Sequence, residues 1–402
     1  MITRNQCGFR RGISTNISIA KFLFHVYHGL NSNKYGLGIF LDLQKAFDTV
    51  DHRILLAKLS HYGIRGTPYN LIKSFLSNRM QYVKIKNSKS SFLPVSLGTP
   101  QGSILSPLLF IIFINDFENC SNNLFFNFFA DDTSLYMSGD NLHSLYMNVN
   151  MELKQVERWI SANRLCLNIN KTVYLLLSGK KPVETIPNIF LFDQPIQRLS
   201  QTKFLGVLID DKLTWKPHIN FVLGKISRMV GILSKVKNNL TFSSLKSIYY
   251  SLVYCHLQYG IVFWGAASQQ EVNKIFIAQK KIIRLMEGAP YRAHSEPLFK
   301  KNNFIKVQDI RRLEMAKFIF ADIRLFNFFN FEPRQSAHTY PTRNSSSIAT
   351  PKPRTNILLK SVFYEGITFY NSLSTDIKNS SSMDIFKAKV KRYLIGSNSS
   401  FT

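Results

Sequence analysis

The chain has 402 residues, 45% of them apolar and 33 of them Phe, and sets 51 Lys and Arg against 24 Asp and Glu for a net charge of +27. That length suits two or three domains with a sizeable core, and a positive excess spread along the whole chain points to a polyanionic partner, nucleic acid foremost and a membrane surface less so. Four scattered cysteines (Cys7, Cys120, Cys166 and Cys255) without a Cys-x-x-Cys pair indicate neither a zinc knuckle nor a disulfide framework. The basic N-terminus has no signal-peptide core, and the apolar run from Ile104 to Ile114, interrupted by Pro107, is too short to span a bilayer. A soluble chain working in the nucleus or cytoplasm, with no membrane partner, is expected.

In chain order, Gln6-Cys7-Gly8-Phe9-Arg10-Arg11-Gly12 is a Gly- and Arg-rich loop whose amides and two arginines, Arg10 and Arg11, suit phosphate contact. A helix is expected over Ser14 to Leu30. Tyr35 to Leu43 reads as a central strand buried on both faces, with Asp42 anomalous near its end. A helix running to about His61 follows, with Asp48 or Thr49 as its cap and Asp51 near its positive end. Another helix is expected over Thr67 to Ser77, then a hairpin over Arg79 to Val95 turning at Asn87-Ser88-Lys89-Ser90. Leu97 to Pro107 is a small-residue loop containing Gln101 and Gly102. It leads into an apolar helix with Ser106 as cap and Pro107 as first residue.

Leu124 to Ala130 and Thr133 to Met137 read as two strands with Asp131 and Asp132 at the turn between them. Acids are scarce in apolar surroundings unless paired or metal-bound. The remainder reads as a helix over Asn141 to Arg164, a turn at Leu167 to Thr172, a strand over Val173 to Leu177, and short strands at Ile189 to Phe192, Ile196 to Leu199 and Lys203 to Ile209. Long basic amphipathic segments follow from Trp215, with a looser Pro-, Ser-, Thr- and Arg-rich linker over 330–355 and a small basic terminal helix.

Asp42, Asp131 and Asp132 therefore stand out as acids near the ends of buried strands. Three such carboxylates brought together would bind a pair of hard divalent cations. Two metals about 4 Å apart lower the pKa of an attacking hydroxyl and neutralise a departing pyrophosphate. In a strongly basic protein this is the chemistry of nucleotidyl transfer on nucleic acid.

Several motifs, in this order, carry a resemblance: Phe40-Leu41-Asp42 with Ala46-Phe47-Asp48, then Gly98-Thr99-Pro100-Gln101-Gly102-Ser103, then Phe129-Ala130-Asp131-Asp132. Together they resemble reverse transcriptases of non-LTR (LINE-type, jockey-like) retrotransposons. Gln6 to Arg10 resembles the last conserved motif of their fingers, Asn168 to Thr172 their lysine-bearing motif, and Phe204-Leu205-Gly206-Val207 their primer grip. The resemblance covers about residues 5–210.

It implies an α/β (α+β) right-hand polymerase. Residues 1–34 would be a remnant of the fingers, 35–210 the palm, 211–330 a mostly α-helical thumb, and 331–402 a linker with a small basic segment. The activity implied is RNA-directed DNA polymerisation. Asp42 and Asp131 would be the principal ligands of two Mg2+ ions (or Mn2+), with Asp132 assisting. Phe47 would lie under the sugar of the incoming dNTP, Gln101 and Gly102 would line its pocket, and Lys171 would protonate the leaving pyrophosphate. Arg10, Arg11, Phe204, Leu205 and Gly206 would meet template or primer, and the basic helices would hold the RNA–DNA duplex of RNA template and DNA primer. The motifs that normally precede residue 6 are missing, so an N-terminally truncated product is expected. A catalytically inactive remnant that only binds nucleic acid is the alternative.

Overall fold

The computed structural model describes residues 2–180, 187–331 and 347–397. They fall into two compact units, one ending at Leu205 and the other beginning at Gly206. The first unit runs α1 (Thr15–Asn31), β1 (Tyr35–Leu41), α2 (His52–His61), α3 (Gly66–Leu76), β2 (Arg79–Gln81), β3 (Lys84–Ile85), β4 (Ser88–Lys89), β5 (Leu93–Val95), α4 (Leu105–Phe113), β6 (Phe125–Phe129), β7 (Asp132–Gly139), α5 (Leu142–Ala162), β8 (Val173–Leu177), β9 (Phe190–Leu191), β10 (Gln194–Pro195), β11 (Gln197–Arg198) and β12 (Gln201–Phe204).

Five strands form one sheet in the order β11-β8-β1-β7-β6, so the apolar run of β1 is central, as its composition implies. β1 is antiparallel to both neighbours, with Leu41 opposite Thr133 on β7 and Ile39 opposite Tyr174 on β8. Side chains alternate across a strand. Leu37, Ile39 and Leu41 therefore enter the main core with Phe126, Phe128 and Leu135 and with Leu145, Val149 and Leu153 of α5. The opposite face belongs to α1. Phe22 lies 5.3 Å from the Phe40 ring, and a Cβ on Gly38 would stand 2.7 Å from the Phe22 ring, so the helix approaches this closely only over glycine. One polar cluster is buried there: Asn127 Nδ2 donates to Ser18 O, Ser18 Oγ and Ser134 Oγ, fixing α1 against the β6–β7 hairpin.

Four local expectations change. The hairpin over 79–95 turns at Lys86-Asn87, with Ser88 and Lys89 already paired in β4 and not part of the turn. The cap of α2 is Asp51, not Asp48 or Thr49. Asp51 Oδ1 accepts from the amides of Arg53 at 2.8 Å and Ile54 at 3.3 Å, which leaves residues 44–49 as turns. Helix α4 starts at Leu105, so Ser106 and Pro107 lie inside its first turn; Ser103 Oγ takes the Leu105 amide while Ser106 Oγ donates to Pro100 O. Asp131 lies in the β6–β7 turn, but Asp132 is already the first residue of β7.

The second unit opens with β13 (Val207–Asp210) and is otherwise helical: α6 (Lys216–Val236), α7 (Phe242–Ile248), α8 (Cys255–Gln258), α9 (Ile261–Trp264), α10 (Gln269–Met286), α11 (Glu296–Lys301), α12 (Val307–Ala321), α13 (Asn356–Leu359), α14 (Ile367–Ser372), α15 (Thr375–Lys378) and α16 (Met383–Ser397). Asp210 accepts from the amides of Thr214 and Trp215 and so turns the chain into α6. Buried Gln279 on α10 is fully engaged, donating to Tyr249 Oη and Ile305 O and accepting from Val307 N. Most of the expected linker, 332–346, lies outside the described residues. The segment beyond it folds back: Phe386 of α16 stacks on Phe320 of α12 at 4.2 Å. Among the described residues all four cysteines are free, and no helix is long and apolar enough to cross a membrane.

Asp51 is 2% exposed, and Arg164 Nη1 reaches its Oδ2 at 2.8 Å. Burial works to raise its carboxyl. The amides of Arg53 and Ile54 and the Arg53 guanidinium outweigh this, holding it below the ordinary value of 3.8. A depressed folded-state value means that the stabilisation is present above the unfolded value and is lost as pH falls through the folded one. Asp51→Ala is expected to cost about 1–2 kcal/mol by urea unfolding at pH 7, the scale of a lost helix cap. The gap to wild type should narrow below pH of about 3.8. An equal penalty at pH 7 and pH 3 would show that the carboxylate is not what stabilises α2.

Candidate active site

The register of β1 on β7 sets the three expected acids at one end of the sheet. One step beyond the Leu41–Thr133 pair, Asp42 falls level with Asp132. Directly opposed residues in an antiparallel pair point to the same face. Phe129 pairs with Asp132, so Ala130-Asp131 is a two-residue turn at the same end of the sheet. Asp42 and Asp131 are half-buried, whereas Asp132 is exposed. The Asp132 carboxyl is raised from its ordinary value, first by the protein atoms crowding it and then by Asp131 and Asp42. Its remaining contact with solvent screens part of that effect.

Among the described residues no three His, Cys, Asp or Glu side chains stand close enough to hold a metal ion between them. The donor set is nonetheless oxygen only, and the mutual repulsion recorded at Asp132 is what a hard divalent cation relieves. The residues fit such an ion in chemistry without a finished cage.

The backbone of Asp42 is clamped from one side. Asn168 N donates to Asp42 O at 2.8 Å, and Asp42 N donates to Thr172 Oγ1 at 3.3 Å. Leu43 also bridges Leu167, and Gln44 N reaches Cys166 O. The turn holding these contacts closes through Lys171 N and Thr172 N on Asn168 O. Lys171 is exposed on that turn. The expected lysine is thus on the segment that fixes the expected metal ligand.

A second clamp escapes sequence reasoning. Gln6, read as part of a loop, is 1% exposed. Its Oε1 accepts from Gly8 N at 2.7 Å and from Ala130 N at 3.1 Å. Cys7 N and Asn5 O pair with Phe128 O and N, adding a short parallel edge to β6. A Cβ on Gly8 would stand 2.2 Å from Ala130 N, so only glycine permits this approach. Ala130 itself holds φ +56, a left-handed backbone that costs a non-glycine residue roughly 1–2 kcal/mol. Such strain persists where surrounding structure over-determines it, and here Gln6 does so. Arg10 turns inward, donating from Nη1 to Thr3 O and Gln6 O, and so braces this loop; Arg11 is exposed. A Gln two residues before a glycine was the available sequence signal, but its partner lies 124 residues away.

Phe47 is half-buried, 4.4 Å from the Phe110 ring and edge-on to exposed Phe9 at 6.2 Å. The Gly98-Thr99 loop is pinned beside it by Gly98 N to Val50 O and Thr99 N to Phe47 O. That places Gln101 Nε2 on Asp48 Oδ1 at 2.9 Å. Gly102 follows, exposed, at φ +84. Asp48, Gly98, Gln101, Arg79 and Pro94 line a cleft of about 580 Å³. The Phe204 ring is 4% exposed against Phe22 at 5.7 Å and Phe40 at 5.3 Å. It anchors β12 and is not presented to a ligand, which corrects its expected role in direct primer contact. Leu205 and Gly206 beyond it both have positive φ.

Residues 1–209 match the family described as reverse transcriptase (RNA-dependent DNA polymerase). The RNA-directed DNA polymerase from mobile element jockey of Drosophila melanogaster is 28% identical over 301 residues, 72% of this chain and 32% of that protein. The probable RNA-directed DNA polymerase from transposon BS of the same fly is 27% identical over 76% of this chain and 35% of its own length. The chain thus spans about a third of the length of these curated relatives. Among solved structures, telomerase from Candida albicans in complex with a telomeric RNA fragment superposes with a TM-score of 0.38 at 11% identity, over 75% of this chain and 53% of that one. The chain belongs to the reverse transcriptase (RNA-dependent DNA polymerase) family.

Proposed function

We propose that the chain is an RNA-directed DNA polymerase, extending a DNA primer on an RNA template with deoxynucleotides. The observation that carries the reading is the β1–β7 register, which brings Asp42, Asp131 and Asp132 to one end of the sheet. In this reading the first unit supplies a palm with part of the fingers, and the helical second unit is a thumb.

Asp42 and Asp131, assisted by Asp132, would hold two Mg2+ ions. When bound, these ions supply activation of the primer hydroxyl and neutralisation of the pyrophosphate. The chain's own side chains do the rest. The primer 3′ oxygen bonds to the α-phosphorus while the bond to pyrophosphate breaks. Lys171, on the turn that clamps Asp42, delivers a proton to the departing pyrophosphate. Phe47, stiffened by Phe110, sits under the sugar and selects against a 2′-hydroxyl by contact. Gln101, oriented by Asp48, lines the nucleotide pocket. The basic second unit holds the duplex through its phosphates.

Asp131→Asn should reduce primer extension on an RNA template with Mg2+ by at least about 10²–10³-fold, the scale of losing one charge-stabilising group in a transition state. Duplex binding should be unchanged. If wild type and variant are equally inert while both bind duplex, the polymerase reading fails and a binding protein remains.

The crowded carboxylates give a test that needs no turnover. A folded-state value raised above the unfolded one means that the ionised group costs stability once pH rises through the folded value. In EDTA at pH 7, Asp132→Asn is expected to shift the urea midpoint upward, and the advantage should vanish below pH of about 4. Millimolar Mg2+ should stabilise wild type more than the variant. A variant no more stable than wild type in EDTA would remove like-charge crowding from the account.

A further inference from the structure

The ribbon over residues 79–95 has no assigned role and is out of keeping with the rest of the first unit. β2 pairs with β5 and β3 with β4. The two tiers are joined by Val83 N to Ser90 Oγ and Ser90 N to Val83 O. All four strands are exposed apart from the half-buried Val95. Yet its side chains are not those of a solvated surface: Phe92 is 62% exposed, Ile85 69% and Tyr82 42%. A two-stranded ribbon is marginal in water without a face to bury. Exposed apolar patches of this kind mark interaction sites.

Charge narrows the partner. From His52 to Asn115 the sequence contains no Asp or Glu, and it carries eight Lys and Arg. Arg79, Lys84, Lys86 and Lys89 lie on the ribbon itself. Tyr82 and Phe92 form an edge-on pair at 5.0 Å, and Lys89 Nζ stands 5.4 Å from the Tyr82 ring. Exposed aromatics interleaved with cations on one narrow surface are what an unpaired polynucleotide needs: rings for base stacking and ammonium groups for phosphates. A protein partner of ordinary charge would leave those cations uncompensated. The root of the ribbon is also well placed. Arg79, Met80 and Pro94 line the same cleft as Asp48 and Gln101, so a strand lying on the ribbon leads directly to that loop.

We propose that the 79–95 ribbon is a docking platform for single-stranded RNA, the unpaired template on its way to the Gln101 loop. Bases stack on Tyr82 and Phe92, and Lys84, Lys86 and Lys89 contact the phosphates. The direction of travel rests on the polymerase reading; the binding itself does not.

The test is equilibrium binding of a fluorescein-labelled single-stranded RNA 12-mer to the full chain, read by anisotropy across a salt series, with sedimentation velocity alongside. Tyr82→Ala/Phe92→Ala should raise Kd about tenfold or more, the scale of losing base stacking. Lys84→Gln/Lys86→Gln/Lys89→Gln should lower the slope of log Kd against log salt by about 2, for three lost phosphate contacts on a single strand. All five side chains are exposed, and unchanged urea midpoints would exclude a folding defect. Unchanged Kd and salt slope in both variants overturn the proposal. So does loss of self-association in the variants with unchanged RNA affinity, which would make the ribbon an interface between copies. A wild type that never extends a primer, yet loses RNA affinity in both variants, sinks the polymerase reading and leaves this site standing.

Discussion

Leu41 opposite Thr133 is the pairing on which the rest of the site depends. A one-residue slip of β7 along β1 would turn its side chains to the other face. Asp132 would then leave Asp42, and Leu135 would leave the core. One register therefore sets the positions of both the apolar side chains and the carboxylates. The core face favours it by burying Ile39, Leu135 and Phe126. The acidic end opposes it by collecting like charges, a conflict visible in the raised Asp132 carboxyl. A site that gathers carboxylates in this way must be held by something other than the carboxylates.

Buried polar groups do much of that holding, and they act on the backbone. Thr172 and Asn168 grip the two peptide groups of Asp42. Gln6 grips the amide of Ala130, and Asn127 ties the hairpin to α1. A hydrogen bond to a backbone amide leaves the neighbouring carboxylate free to meet a ligand. It also fixes where that carboxylate stands, because the peptide plane sets the Cα position. Arg10 shows how charge type can mislead: as an arginine in a Gly-rich loop it suggests phosphate contact, but its Nη1 is spent on Thr3 and Gln6 carbonyls.

Much of this fold was legible in the sequence because its signals are periodic or compositional. The β1 run, the paired strands flanking Asp131-Asp132, the α5 amphipathicity and the helical run after Trp215 all appear near their expected bounds. Boundaries were harder where two caps competed: Asp48, Thr49 and Asp51 are all good N-caps by residue type. Only the three-dimensional course of residues 44–49 leaves Asp51 in reach of the Arg53 and Ile54 amides. The long-range clamps were not legible at all. Asp42 with Thr172, and Gln6 with Ala130, are separated by 130 and 124 residues. A polar residue carries no local mark of a partner that distant. Phe204 failed for the converse reason. A Phe before Leu-Gly reads equally well as a ligand contact or a core ring, and only Phe22 and Phe40 on either side of it decide.

The two clamps explain why strain and charge coexist so closely. Ala130 is held in a left-handed turn that glycine would adopt freely. Glycine there would relieve the strain but also free the turn to sample other conformations, and Asp131 and Asp132 would move with it. Alanine restricts the choice, and Gln6 then selects the state in which its own Oε1 is satisfied. Asp42 is treated in the same way from the other side, by a turn whose exposed member is Lys171. The acidic hairpin and the turn that carries Lys171 are thus both set by hydrogen bonds in which neither partner titrates.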